Sequence, residues 1–336
     1  MLTPHHANTD NGEPQFFHDP DPNPKPWRLQ MTAAPTVTGL SHGRRTLGKS
    51  GLTVSPMAWG MWRFRGTDIR AARGLVETAL EVGIDLLDTA DIYGPDNGEP
   101  FGAAEALLGA VLAEAPALRD RFVLATKGGI EMGVPYNSSG DYITSAVDAS
   151  LRRLKIEQID LWQIHRPDHL AHPAEIARAF EALLAQGKVR AFGVSNHGPA
   201  QTAALMAHLP MPLVSVQPEF SALAIDSLSD GVLDQALEHD LAVLAWSPLA
   251  GGRLATPGDS RSGAVAAVLA RIAEEQSVPF TAAALAWVMA HPSGAVPIVG
   301  SQTPARIREA ARAVEVRFSR AQWYEVLTAA RGAPLP

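Results

Sequence analysis

Eight short apolar runs, each followed by a stretch with helical spacing, restrict this chain more than any other feature. The runs fall at 57–60, 85–88, 122–127, 159–165, 189–195, 214–219, 242–246 and 295–299. Between them, 69–82, 103–113, 145–154, 174–186, 231–239 and 264–275 carry apolar residues three and four apart, the period of a helix with one buried stripe. Several runs are apolar throughout, as expected of strands covered on both faces. Alternating strands and helices build a parallel sheet, and eight strands close into a barrel. A doubly wound sheet would want a Gly-x-Gly-x-x-Gly turn after its first strand, and the residues from Ala58 to Phe64 supply none. The expected fold is α/β: a (β/α)8 TIM barrel. Two short runs around Lys49, Ser50 and Gly51 predict a β-hairpin ahead of it, and an extra helix is expected at the C-terminus.

Residues 1–45 differ. Pro4, Pro14, Pro20, Pro22, Pro24 and Pro26 sit among His, Asn and Asp without apolar periodicity. Such a segment cannot bury enough surface to offset its ordering entropy, so it is expected to be disordered, with the barrel over 46–336. His5 and His6 read as solvated residues rather than metal ligands, and Met31 is a second candidate start. With 28 basic and 35 acidic residues the formal charge is −7, and no basic block points to nucleic acid or an anionic membrane. Cysteine is absent, which excludes disulfides, thiolate catalysis and zinc–thiolate sites and is compatible with a cytoplasmic location. No apolar run follows a basic start as in a secretory signal. The apolar stretch 281–299 is broken by His291, Pro292, Ser293 and Gly294, so it reads as a helix, a turn and a buried strand and not as a membrane span.

Barrels place their chemistry at the C-terminal ends of the strands. Here those ends are polar: Asp88, Lys127, His165, Ser195 with Asn196, and Gln217 with Glu219. Any one of them alone is as readable as loop polarity. Lys127 follows an apolar run in a chain with 23 Arg and five Lys. An ammonium there is partly desolvated and able to tune a neighbour, although a snorkelling strand-end Lys reads equally well in isolation. Tyr93, one of four tyrosines, lies five residues past Asp88. It is either a rim aromatic or a phenol that donates a proton, and a phenol of pKa about 10 needs a cation nearby to act near neutrality. A lone His165 would read as structural; beside a Tyr and a Lys it becomes an oxyanion donor. No His/Asp/Glu cluster has metal-ligand spacing, so no metal is expected. Asp168 and Glu219 read as supporting or rim residues.

The blocks LLDTADIYG, LATKGG, LWQIHRPD, AFGVSN, SVQPEFS, LAWSPLAGGRL and VPIVGSQTPARIREA resemble, in order, those of the aldo-keto reductases. The resemblance runs from about Arg45 to the end, and the C-terminal FSRAQWYEVLTAA is similar to a bacterial branch of general oxidoreductases. It implies a catalytic tetrad of Asp88, Tyr93, Lys127 and His165, with Tyr93 as general acid and His165 orienting the carbonyl. Ser195, Asn196 and Gln217 match residues at the nicotinamide carboxamide, and Trp246 the aromatic that stacks on its ring. Gly60 and Met61 match further cofactor contacts. Ser247, Pro248, Leu249, Gly251, Gly252 and Arg253 match the loop over the pyrophosphate, where glycines let the backbone approach.

Thr303 is placed to cap a helix beginning at Pro304, so that its amides face an anion, with Ser301 and Arg306 adding a hydroxyl and a cation. The resemblance makes this the 2′-phosphate site of NADPH, with Glu309 near the adenine amine. Some members carry Lys at Gly300 and Asn at Ala310, so NADH use stays open. Trp62 is expected to wall the substrate pocket and Trp59 to lie in the core. The expected substrate is a small-molecule carbonyl, an aldehyde or a hydrophobic ketone. Two other readings are an NADPH-binding sensor or partner subunit with little turnover, and a barrel aldolase or isomerase with a Lys127 Schiff base. The second leaves Trp246, Ser195 and Arg306 unexplained.

Overall fold

The computed structural model describes residues 43–336. His5, His6, Met31 and the rest of 1–42 lie outside the described residues. Arg45, which the sequence reading assigns to the extension, is already strand: β1 (Arg45–Thr46) pairs antiparallel with β2 (Thr53–Val54), Arg45 opposite Val54. The turn between them is Gly48–Ser50.

Eight parallel strands then close a barrel: β3 (Ala58–Gly60), β4 (Leu86–Asp88), β5 (Val123–Gly128), β6 (Ile159–Ile164), β7 (Val189–Ser195), β8 (Leu213–Gln217), β9 (Ala242–Ala245) and β10 (Val296–Val299), with β10 returning to β3. Outside them run α1 (Ile69–Glu81), α2 (Ala103–Glu114), α3 (Gly140–Leu154), α4 (Pro173–Ala185), α5 (Pro199–Met206), α6 (Val232–His239), α7 (Ser260–Glu275), α8 (Phe280–Met289), α9 (Pro304–Ala311) and the C-terminal α10 (Arg320–Arg331). The stretch 281–299 is the helix α8, a turn and the strand β10, as read from its interruptions. Among the described residues no helix is long and apolar enough to cross a membrane.

Side-chain alternation divides the core in two. Ala58, Leu86, Ala125, Leu161, Ala191, Leu244 and Val296 pack inside the barrel, while Trp59, Leu87, Leu124, Trp162, Phe192 and Val243 join the layer that includes the helices. Leu47, Leu52 and Val54 of the hairpin enter the inner cluster and close its base. At the C-terminus, Trp287 of α8 and Trp323 of α10 stack with centroids 4.9 Å apart. Each indole N–H donates to the other residue's carbonyl oxygen at 3.1 Å, which satisfies both buried donors. This pair holds the extra helix on the barrel.

Gly109 marks the close crossing of α2 and α3: a Cβ there would lie 2.0 Å from the Arg153 carbonyl oxygen and 2.9 Å from Leu154 C. Backbone cannot step aside as a side chain can. Gly109→Ala is expected to cost about 1–3 kcal/mol of unfolding free energy. Gly74→Ala, in α1 with nothing within 4 Å of an added Cβ, is expected to be neutral or stabilising by up to about 1 kcal/mol. Denaturant unfolding of both variants checks this; equal midpoints would refute the crossing as a constraint.

Candidate active site

The strand period of two carries the inner apolar layer upward into a polar one. Two residues beyond Leu86 stands Asp88, and two beyond Ala125 stands Lys127. Two and four beyond Leu161 come Gln163 and His165, and two beyond Leu244 comes Trp246. The same face that is packed with aliphatics near the base therefore carries functional groups at the mouth.

Lys127 is buried, and its Nζ donates to Asp88 Oδ2 at 2.7 Å and to the Thr89 carbonyl oxygen at 2.7 Å. Asp88 Oδ1 accepts from Gln217 Nε2 at 2.9 Å, so the ion pair is tied across the barrel to β8. Burial alone would lower the lysine pKa; the Asp88 carboxylate and Tyr93 outweigh it, and the ammonium is held above its ordinary value.

Tyr93 reaches this pair from the loop after β4. That loop is pinned by the Thr89 amide donating to the Ala125 carbonyl, by Asp91 to Lys127, and by Ala104 at the start of α2 to Tyr93. Gly94 lets it fold tightly: a Cβ there would sit 1.8 Å from the Pro100 carbonyl oxygen. Lys127 Nζ lies 5.0 Å from the Tyr93 ring centroid, and His165 meets the ring edge-on at 5.8 Å. The four residues proposed as a tetrad thus converge.

The direction of the phenol's shift corrects one expectation. Lys127 does pull the Tyr93 pKa down, but burial pushes it up more strongly, and it lies above its ordinary 10.0. Burial therefore favours the protonated phenol. His165 is depressed well below 6.5 by burial and by the Lys127 and Arg166 cations, so its imidazole is neutral. Its Nδ1 is buried without a partner.

Beside the tetrad, Asn196 Nδ2 donates to Ser195 Oγ at 2.8 Å and to the His165 carbonyl at 3.1 Å, and its Oδ1 accepts from Trp246 Nε1 at 3.0 Å. Ser195 Oγ donates to the Gln217 carbonyl oxygen at 3.0 Å. An amide, a hydroxyl and a half-buried indole are thus gathered on one side of Tyr93, a donor set that fits a carboxamide-bearing aromatic ring. Ser247 takes a positive φ of 52° and Pro248 is buried, while Leu249, Gly251, Gly252 and Arg253 continue the loop at the surface or half-buried. An added Cβ at Gly251, Gly252 or Gly300 would meet nothing within 4 Å.

The remaining predicted contacts sit on the β10–α9 side. Gly60 is buried in β3, its carbonyl accepting from Gln302 Nε2 at 3.0 Å, and Met61 is packed in the core. Trp59 is core, its Nε1 donating to the Ser301 carbonyl oxygen at 2.9 Å. Thr303 occupies the N-cap position of α9, but its side chain makes no cap bond; its own amide instead donates to Ser301 Oγ at 3.2 Å. No side chain therefore caps the first turn of α9, and Ser301 bonds only the N-cap residue's own amide. Arg306 and Glu309 are exposed on α9. Arg308 pairs with Glu81 at 3.2 Å, whereas Arg306 is in no ion pair among the described residues. Trp62 is 43% exposed, near Asp96 and under Arg63.

Sequence reading passed over a second polar layer behind Lys127. Glu105 of α2 is fully buried, accepting from Thr126 Oγ1 at 2.6 Å and from Arg153 Nε at 2.7 Å. Asp91 is buried with Oδ1 unpartnered, and burial together with Glu105 raises its pKa well above the ordinary carboxylate value. Asp168, a supporting residue as expected, accepts from the amides of Ser138 and Leu170 at 2.8 and 2.9 Å. A cavity of about 690 Å³ opens at the strands' N-terminal ends, but its Arg44, Arg119 and Arg190 are paired with Asp85 and Asp160, and it contains none of the tetrad. Among the described residues no group of three or more His, Asp or Glu is placed to hold a metal.

This architecture has known counterparts. Residues 56–330 match the Aldo/keto reductase family. A 6-dehydroglucose reductase of Novosphingobium aromaticivorans is 56% identical over 87% of this chain and 97% of its own length. A protein of the same description from Agrobacterium fabrum is 38% identical over 84% and 96%. The solved structure of a glycerol dehydrogenase from Gluconobacter oxydans superposes with a TM-score of 0.75 at 26% identity, covering 88% of this chain and 98% of that one. With the closed barrel, the converging strand ends and a match over most of its length, the chain belongs to the aldo/keto reductase family of nicotinamide-dependent oxidoreductases.

Proposed function

We propose that the chain reduces an aldehyde to an alcohol with NADPH, with Tyr93 giving the proton. The observation that carries this is the Tyr93 ring set between the buried Lys127–Asp88 pair and the edge of His165, where burial pushes the phenol pKa above and the imidazole pKa below their ordinary values. The bound nicotinamide supplies a hydride to the carbonyl carbon. The developing alkoxide takes the Tyr93 proton, and Lys127 stabilises the phenolate that this leaves. Asp88 holds Lys127 in place and balances its charge. We assign the single ring proton of His165 to Nε2, since on Nδ1 it would be buried without an acceptor; from Nε2 it donates to the carbonyl oxygen. Ser195, Asn196 and Gln217 orient the carboxamide, and Trp246 packs on the ring.

Two observations favour NADPH over NADH. Arg306 is an exposed cation in the first turn of α9 with no ion pair among the described residues, and Ser301, just before that helix, is fixed by bonds to Trp59 and Thr303. For the substrate, we carry over the one that the 56% identical relative is named for, 6-dehydroglucose. This is a polar sugar aldehyde, unlike the hydrophobic ketone also compatible with an aromatic-walled mouth.

Tyr93→Phe should lower the reduction rate by at least about 1000-fold while the Kd for NADPH, read by cofactor fluorescence, stays within about threefold. Wild-type rates in that variant would remove Tyr93 from the chemistry. Because its pKa lies above 10.0 and that of His165 well below 6.5, the reactive forms coexist through neutrality. Reduction kcat/KM should therefore be flat between about pH 6.5 and 9 and fall only on the alkaline side. Oxidation of the alcohol, which needs the phenolate, should rise with pH; a midpoint near 7 for reduction contradicts both assignments. Arg306→Ala should weaken NADPH by about tenfold or more and NADH by less than about threefold. Equal losses would show that Arg306 does not read the 2′-phosphate.

A further inference from the structure

The arginines that reach toward the strands mostly have a buried carboxylate to meet. Arg153 has Glu105, and Arg119 and Arg190 share Asp160. Arg166 has none. It follows His165 at the end of β6, is half-buried, and makes no ion pair or side-chain hydrogen bond among the described residues. Its guanidinium carbon lies 5.7 Å from the Trp246 ring centroid, and its charge bears on both Tyr93 and His165. Neither rim carboxylate bonds its guanidinium: Asp168 accepts from two backbone amides, and Glu219 makes no ion pair among the described residues.

The charge balance of the mouth follows. Lys127 and Asp88 are paired with each other, and burial holds Tyr93 and His165 toward their neutral forms, so Arg166 is the further cation beside the reacting groups, its guanidinium engaged by no carboxylate among the described residues. A guanidinium resting over an aromatic ring keeps its edge N–H donors available, and that planar fork suits oxygen acceptors. A half-buried cation without a counter-ion is costly to the free protein, and a substrate that brings acceptors recovers that cost.

We infer that Arg166 is a specificity-determining residue that binds an oxygen-bearing arm of the substrate, hydroxyl or carboxylate, and so selects oxygenated aldehydes over plain alkyl ones. The inference rests on the reductase reading above and names the feature by which that site chooses its substrate. A site built to hydrogen-bond an oxygen rejects the analogue that lacks it, because its own donors are then left buried and unpaired.

The test is kcat/KM with NADPH for two matched pairs: D-glyceraldehyde against propanal, and succinic semialdehyde against butanal. Wild type should prefer the oxygenated member of at least one pair by about tenfold or more, and which pair responds tells hydroxyl from carboxylate. Arg166→Met should reduce that preference by about tenfold, mainly through KM, while the Kd for NADPH stays within about threefold. Arg166→Lys should restore the preference for the carboxylate more than for the hydroxyls, because it keeps the charge and loses the fork. If Arg166→Met lowers all four substrates by one factor, or instead weakens NADPH, the inference is overturned while the reductase stands. A wild-type enzyme inert on all four aldehydes, and on 6-dehydroglucose, would overturn the reductase reading and this inference with it.

Discussion

Taking an ammonium and a carboxylate out of water costs several kcal/mol per ion, and their mutual attraction repays this only where the remaining donors and acceptors are satisfied. Lys127 and Asp88 meet that condition with groups from three directions. Asp88 comes from β4 and Lys127 from β5, the Thr89 carbonyl takes a second lysine hydrogen, and Gln217 crosses from β8 to the second carboxylate oxygen. Barrel closure makes the last contact possible: β4 and β8, the second and sixth of the eight strands in chain order, face each other across the interior. Everything at the mouth inherits this position. Tyr93 lies over the lysine because its loop is hydrogen-bonded to the backbone of the same strand.

The acids behind the pair are disposed so that they do not compete for it. Glu105 is neutralised by Arg153 and bonded by Thr126, while Asp91 holds its proton well above the ordinary carboxylate range. The carboxylate bonded to Lys127 is that of Asp88, and the upward shift of Asp91 weakens a second claim on the same ammonium.

The strands were plain in the sequence because both faces of each are covered, which leaves continuous apolar runs of four to seven residues. The helix α5 was not, since Pro199, Ala200, Gln201, Thr202, Ala203 and Ala204 show no apolar stripe. The helix α3 begins at Gly140, five residues before its periodicity does, because Ser139 caps it and Glu175 bonds the Gly140 amide. Asp88, Lys127 and His165 are legible as strand-end polar residues. Glu105 and Asp91 are not, because an acid on a helix or in a loop reads as solvated unless its buried arginine is known. The net shift of Tyr93 was equally hidden: proximity to a lysine can be guessed from register, whereas the opposing weight of desolvation depends on how completely the fold buries the ring.

The hairpin at the base has a consequence for traffic. Leu47, Leu52 and Val54 fill the lower interior, and a Cβ on Gly48 would strike the carbonyl oxygens of Val214 and Asp240 at 2.6 and 2.7 Å. The barrel is stoppered there, so its interior has a single doorway. In the proposed reduction, the proton that resets Tyr93 comes in from the rim by which the product leaves, so the two share one path.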